Sequence, residues 1–153
     1  MTNSGKLAKN LNHFSLKKKQ DLFNNLKFLE NEFSEIDQIK KITWVEYAQD
    51  SFKRKIIERW IENLVMVVLD IAKIVLASEK KNIPQSYRET LKIFTTLYVD
   101  SRIAEKFSHF AELRNIIVHE YLDIRWKRIE NFIKEGSKLY PLFIEKVKKI
   151  TAQ

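Results

Sequence analysis

The 153-residue chain has no cysteine, two glycines, two prolines and three histidines. Without cysteine there is no disulfide framework, no zinc ribbon and no thiol nucleophile. So few glycines and prolines cannot supply the many turns of a β-sandwich or barrel. His13, His109 and His119 are too few for a histidine-rich metal site, so no metal and no cofactor is expected. The longest unbroken apolar run, Leu64 to Leu69, stops at Asp70, far short of the roughly 20 residues that cross a bilayer. Met1 to Leu16 is polar and has no apolar targeting core. The expectation is a cytoplasmic protein with no membrane attachment.

What the chain does have is 44% hydrophobic and 31% charged residues, the balance of a folded, soluble domain. Its length predicts one domain over 1–153, with residues 1–15 as a flexible N-terminal segment. The net charge of +8 is unevenly placed. Residues 1–41 carry eight lysines against five acids, residues 42–123 carry twelve of each sign, and residues 124–153 carry eight basic residues against three acids. A basic fringe around a neutral middle suits a polyanion such as RNA, and equally a merely solvated surface.

Apolar spacing is helical nearly throughout. Leu16, Leu22, Leu26, Leu29, Phe33 and Ile36 recur at three- to four-residue intervals, predicting a first helix over 16–38 with Ser15 as cap. Thr43 and Glu46 have the spacing of a capping box, opening a long helix to about Ser78. From Leu64 to Leu69 that helix is apolar on every side, so burial all round is expected there, some of it against a second copy of the chain. Ser86 and Glu89 open a shorter helix to about Val99. Asp100 is placed to cap the next, which ends near 119–121, and Asp123 to cap the last. Gly136 and Pro141 predict a kink or short break over 136–141. Trp44, Trp60, Trp126 and the ten Phe fall at helical spacing and are expected in the core, whereas His13 and His109 lack chemical company and are expected at the surface. No strand signal survives, and the predicted fold is an all-α antiparallel bundle of about five helices.

Gly-rich phosphate loops, zinc-protease motifs and nucleophile elbows are absent. One segment carries chemistry: Glu112-Leu113-Arg114-Asn115-Ile116-Ile117-Val118-His119-Glu120-Tyr121. Asn115 is a poor mid-helix residue, so helix propensity does not explain it. Arg114 offers a planar fork of donors that suits phosphate. His119 belongs to the residue type that moves protons near neutrality. Arg and His together can cut RNA without metal: a base takes the ribose 2′-OH proton, the 2′-oxygen attacks phosphorus, and a cation steadies the phosphate. Asp70, which interrupts the apolar run, either orients Arg114 or pairs with a neighbour such as Lys73. Without such chemistry, Arg114 would pair with Glu112 or Glu120, and Tyr121 would be an interface aromatic.

This segment resembles the R-x-x-x-x-H-x-Y motif of HEPN domains, and in particular the HepT-type toxins. Arg114, His119 and Tyr121 stand at the fixed positions, and Asn115 at the position after the Arg that is commonly Asn. Ile57-Glu58-Arg59, Leu69-Asp70-Ile71-Ala72 and Ser86-Tyr87-Arg88-Glu89 with Phe94 and Leu97 are similar to flanking segments of that family, so the resemblance covers roughly 44–150. It implies a dimeric helical bundle that cuts RNA (tRNA or mRNA) without metal. It also implies a partner, an MntA-like nucleotidyltransferase antitoxin, that silences the nuclease by adding AMP to Tyr121. HEPN-like proteins that partner a nucleotidyltransferase without cutting RNA are the alternative class.

Arg114 and His119 are five residues apart, so an ideal helix points them about 140° away from each other. Either the helix distorts after Val118, or two chains' motifs build the site together across a two-fold axis.

Overall fold

A computed structural model of the chain describes residues 14–152. Most of the expected flexible segment, residues 1–13, lies outside the described residues. Phe14 is buried, and the Ser15 hydroxyl accepts from Lys18 N at 3.1 Å to cap α1 (Leu16–Phe33). The predicted helix over 16–38 divides: α1 ends at Ser34, and a single turn, α2 (Ile36–Ile39), follows and buries both of its isoleucines.

Thr43 and Glu46 form the expected capping box at the start of α3 (Trp44–Gln49). The long helix does not run on from there. Asp50 leaves the helical conformation at φ −105° and ψ 101°, and its carboxylate accepts from the N–H groups of Phe52 and Lys53, at 2.9 and 3.2 Å. It thereby opens α4 (Ser51–Ser78) as a separate helix. Aspartate at this position satisfies two otherwise orphaned donors, a signal hidden by continuous apolar spacing. At the other end Lys80 takes the left-handed φ of 56°, and Lys81 N–H reaches back to the Leu76 carbonyl at 2.9 Å to close α4.

Ser86 caps α5 (Tyr87–Phe94), which passes into one π-helical turn at Thr95–Val99. Asp100 does not cap a helix. Its carboxylate accepts from the backbone and guanidinium of Arg102, and α6 (Ala104–Ser108) starts later without a side-chain cap. A 3₁₀ turn, His109–Glu112, then leads into α7 (Leu113–His119). The last helix, α8 (Leu122–Thr151), starts one residue before Asp123, with Tyr121 at its N-cap and no side-chain cap.

Of the kink or short break expected at 136–141, the break is absent: α8 runs through both residues. Pro141 is exposed, so the Ser137 carbonyl it leaves without an amide partner is one that water can reach. Gly136 is buried, and a Cβ there would meet Tyr140 carbons at 3.5 and 3.8 Å, ordinary van der Waals distances.

The fold is all-α, with no strand among the described residues, and no described helix is long and apolar enough to cross a membrane. Helix α4 is central: α1, α3 and α5 pack on it along its length, α7 crosses its first half, and α8 closes against α1. Leu64, Val65, Val67, Val68 and Leu69 are buried within their own chain, so this run does not need the second copy that its spacing suggested. An aromatic layer from α5, α6 and α8 fills the core. Phe107 stacks on Phe143 at 5.1 Å, and Phe110 meets Phe132 edge-on at 4.9 Å. Trp60 is buried and donates its indole N–H to the Glu32 carbonyl at 2.7 Å, which ties the end of α1 to α4. Not all aromatics are core. Trp44, Phe23 and Phe28 are part-exposed, Trp126 is half-buried, and Phe52 is 72% exposed.

Two predictions follow from the core of α8. Gly136→Ala should stabilise the protein by about 0.5–1 kcal/mol, because alanine restricts the unfolded chain and its methyl fits. Thermal unfolding should shift up by about 1–4 °C; a fall would mean that Tyr140 cannot accommodate the methyl. Tyr140 is wholly buried, its hydroxyl has no hydrogen-bond partner among the described residues, and burial pushes its phenol far above the usual range. Tyr140→Phe should therefore be neutral or stabilising by up to about 1 kcal/mol. The unfolded phenol ionises near pH 10 while the folded one stays protonated. Its contribution is thus fully present below pH 10 and is lost as pH rises above that. Denaturant unfolding from pH 8 to 11 should show a shallower alkaline loss for Tyr140→Phe than for the wild type.

Candidate nucleic-acid interface and active site

The motif sits on α7, a helix of two turns anchored by Leu113, which is buried, and by half-buried Ile116 and Ile117. That anchoring turns Arg114 toward α4. One guanidinium nitrogen of Arg114 lies 3.8 Å from Met66 Sδ, and another lies 3.8 Å from Glu62 Oε1. The acidic neighbour is therefore Glu62, not Glu112 or Glu120. Glu112 pairs with Arg88 instead, at 3.1 Å.

Arg114 lines an open groove of about 520 Å³. Helix α4 supplies Lys55, Glu58, Arg59 and Glu62, α7 supplies Arg114, Ile117 and Val118, and α8 supplies Arg125. Four cations thus face two carboxylates. One carboxylate is already engaged: Glu58 accepts from Arg125 at 3.2 Å and from the Tyr47 hydroxyl at 2.5 Å. Burial, and then the Glu58 carboxylate, push the Tyr47 phenol well above its ordinary range, so it stays a donor.

The same network braces the corner between α7 and α8. Arg125 Nε donates to the Glu120 carbonyl at 2.7 Å. Glu120 leaves the helix with φ −95° and ψ 161°, and Tyr121 follows extended at φ −68° and ψ 157°. His119, the last residue of α7, and Tyr121, the N-cap of α8, flank this bend and are both exposed, Tyr121 by 82%. Motif spacing pointed to Arg114, His119 and Tyr121 but not to Tyr47, Glu58 and Arg125, which hold the corner. Of these, only Glu58, in the Ile57-Glu58-Arg59 segment of α4, lay in a stretch that the sequence had singled out.

The structure does not bring all the expected residues together. Helix α7 stays α-helical through His119 and the chain leaves the helix at Glu120, so the distortion after Val118 that the spacing called for is absent. Arg114 lines the groove and His119 does not. Asn115 is exposed on a neighbouring face and makes no hydrogen bond among the described residues. Asp70 lies elsewhere: it lines a shallow cleft between α1 and α4 with Asp21, Asn24, Asn25, Lys73 and Ile74, and no hydrogen bond or ion pair joins it to Arg114. His109 is not isolated. Its ring nitrogens lie 3.1 Å from Arg88, 3.3 Å from Glu105 and 3.7 Å from Glu112. That cluster borders a separate cavity of about 260 Å³ between the 3₁₀ turn and α8. Among the described residues, no group of three or more His, Asp or Glu side chains is placed to hold a metal ion.

The family model described as Ribonuclease HepT-like matches residues 29–150. It begins earlier than the resemblance read from the sequence, taking in the last turn of α1, and it includes α4, the motif helix and nearly all of α8. No curated protein matches the chain. A match over most of the chain, on an all-α bundle with the motif beside a basic groove, establishes that the chain belongs to the HepT-like ribonuclease family.

Proposed function

We propose that the protein is the toxin of a toxin–antitoxin pair, an endoribonuclease that cuts RNA without a metal. The observation that carries this reading is the position of Arg114 in a groove with excess positive charge, at the end of the bundle where His119 is exposed. In this reading an RNA phosphate binds the Arg114 fork, whose planar donors match two phosphate oxygens. His119 takes the ribose 2′-OH proton, the 2′-oxygen attacks phosphorus, and the bond to the 5′-oxygen breaks, giving a cyclic phosphate and a 5′-hydroxyl whose proton comes from water. Arg114 stabilises the charge that accumulates on the phosphate oxygens. The proposed substrate is tRNA or mRNA, met in the cytoplasm.

The straight helix between Arg114 and His119 supports a site shared by two chains. A two-fold dimer would set the His119 of one copy near the groove of the other. The exposed apolar residues near the groove support the same arrangement. Phe52 and Ile56 share the α4 face that carries Lys55 and Arg59, and Val118 is exposed on α7. The proposed interface therefore still uses the long helix and the motif helix, but through these residues rather than through Leu64–Leu69. Asn115, directly after Arg114, is proposed as a supporting residue; Asp70, in the cleft toward α1, is not part of the proposed site.

Control would act on Tyr121. Its exposed phenol is open to an enzyme that attaches AMP, the phenolic oxygen displacing pyrophosphate from ATP. The added phosphodiester would compete for Arg114 as a substrate mimic, and its nucleoside would fill the cleft, with no refolding required.

Purified protein incubated with total RNA and tRNA in EDTA should cleave. His119→Ala should lose about 10²–10⁴-fold in rate, and Arg114→Lys should also fail, because a point charge cannot replace the fork. Either variant keeping full activity at unchanged thermal stability would place the site elsewhere. An inactive wild type would leave a binding module that partners a nucleotidyltransferase. Co-expression with such a partner should add AMP-sized mass to the wild type and none to Tyr121→Phe, which should remain folded and resist silencing. Equal modification of the mutant, or silencing with no added mass, would remove Tyr121 from this role.

A further inference from the structure

Arg59 stands out among the groove's cations. Its side chain is 72% exposed, it makes no hydrogen bond among the described residues, and its one ion-pair partner among them is Glu62, with Arg59 Nη1 3.8 Å from Oε2. Arg114 Nη2 lies at the same 3.8 Å from the other oxygen, Oε1. Two guanidinium groups thus face the two oxygens of one carboxylate, each too far away for a hydrogen bond. Glu62 sets their separation without using up their donors. The second carboxylate, Glu58, is paired with Arg125 and accepts from Tyr47, both at Oε2. Lys55, one turn before Arg59, makes no ion pair among the described residues and adds to the local field.

We infer that Arg59 is a second phosphate-binding residue of the groove, acting across Glu62 from Arg114 on the backbone of a single-stranded RNA. Glu62 holds the place that a phosphate takes on binding: an anion with oxygens on two sides can accept from both forks where the carboxylate reaches neither. The polyanion is RNA because the groove is open, carries an excess of cations and offers guanidinium forks rather than an enclosed pocket. This inference rests on the ribonuclease reading, and its test separates the two.

The probe is a 2′-O-methyl oligoribonucleotide, which the proposed reaction cannot cut. Its affinity is measured over a range of salt concentrations for the wild type, Arg59→Ala and Lys149→Ala. Lys149 is an exposed residue of α8 outside the groove, paired with Glu145 at 3.4 Å, and it controls for loss of one positive charge. Arg59→Ala should bind about 10-fold more weakly, with the salt slope smaller by about 0.7, the loss of one single-strand phosphate contact. Lys149→Ala should keep the wild-type slope. Cleavage of ordinary RNA is followed in parallel, where Arg59→Ala should raise KM about 10-fold and leave kcat within about twofold. A wild type that cuts RNA while Arg59→Ala keeps its slope and KM would overturn the role of Arg59 and leave the ribonuclease reading standing. A wild type that does not cut RNA but whose slope falls in Arg59→Ala would uphold the phosphate contact and defeat the nuclease reading. Absence of any binding by the wild type would overturn the inference.

Discussion

Helix α4 has a solvent-facing side only along part of its length, and this limits where the protein can do chemistry. From Leu64 to Leu69 nearly every side chain is buried, so no charged group from that stretch can serve a ligand. The turns before it are different. Lys55, Glu58, Arg59 and Glu62 recur at three- and four-residue spacing and form one polar stripe. Helix α7 crosses the stripe, and the groove forms where they meet. A motif helix laid over the apolar half would have found no cations to work with.

The motif helix is short, with one buried leucine and two half-buried isoleucines to hold it. Such an element depends on its neighbours for orientation. Arg125 supplies the connection, bonding the Glu120 carbonyl on one side and Glu58 on the other, while Tyr47 bonds Glu58 from α3. Four elements therefore meet at the corner that presents His119 and Tyr121. The cations of the groove and the exposed rings of the corner are parts of one construction, with Glu58 belonging to both.

Apolar spacing was enough to identify the all-α class and the approximate place of each helix, because most helices bury one face against the core. It could not show where the chain pauses within a helical stretch. Asp50 and Ser34 divide runs whose hydrophobic period continues unbroken, and the evidence for a division is a capping side chain or a backbone angle rather than periodicity. At 136–141 glycine and proline suggested a kink or a short break, and α8 stays helical through both, with Pro141 exposed. The site was partly legible for a related reason. Arg114, His119 and Tyr121 are close in sequence and form a motif. Glu62, Arg59 and Arg125 reach the groove from elsewhere in the chain, and only the fold joins them. Asp70 looked relevant because it interrupts an apolar run, yet one turn of α4 beyond Met66 it faces the cleft toward α1 rather than the groove.

The central claim is that this groove cuts RNA by 2′-oxygen attack, with side chains and no metal carrying the chemistry. The chemical ends of the products test it most directly. RNA digested by the purified protein in EDTA should carry a 2′,3′-cyclic phosphate on each upstream fragment and a 5′-hydroxyl on each downstream fragment. Fragments that begin with a 5′-phosphate, or cleavage that appears only when a divalent metal is restored, would contradict the account.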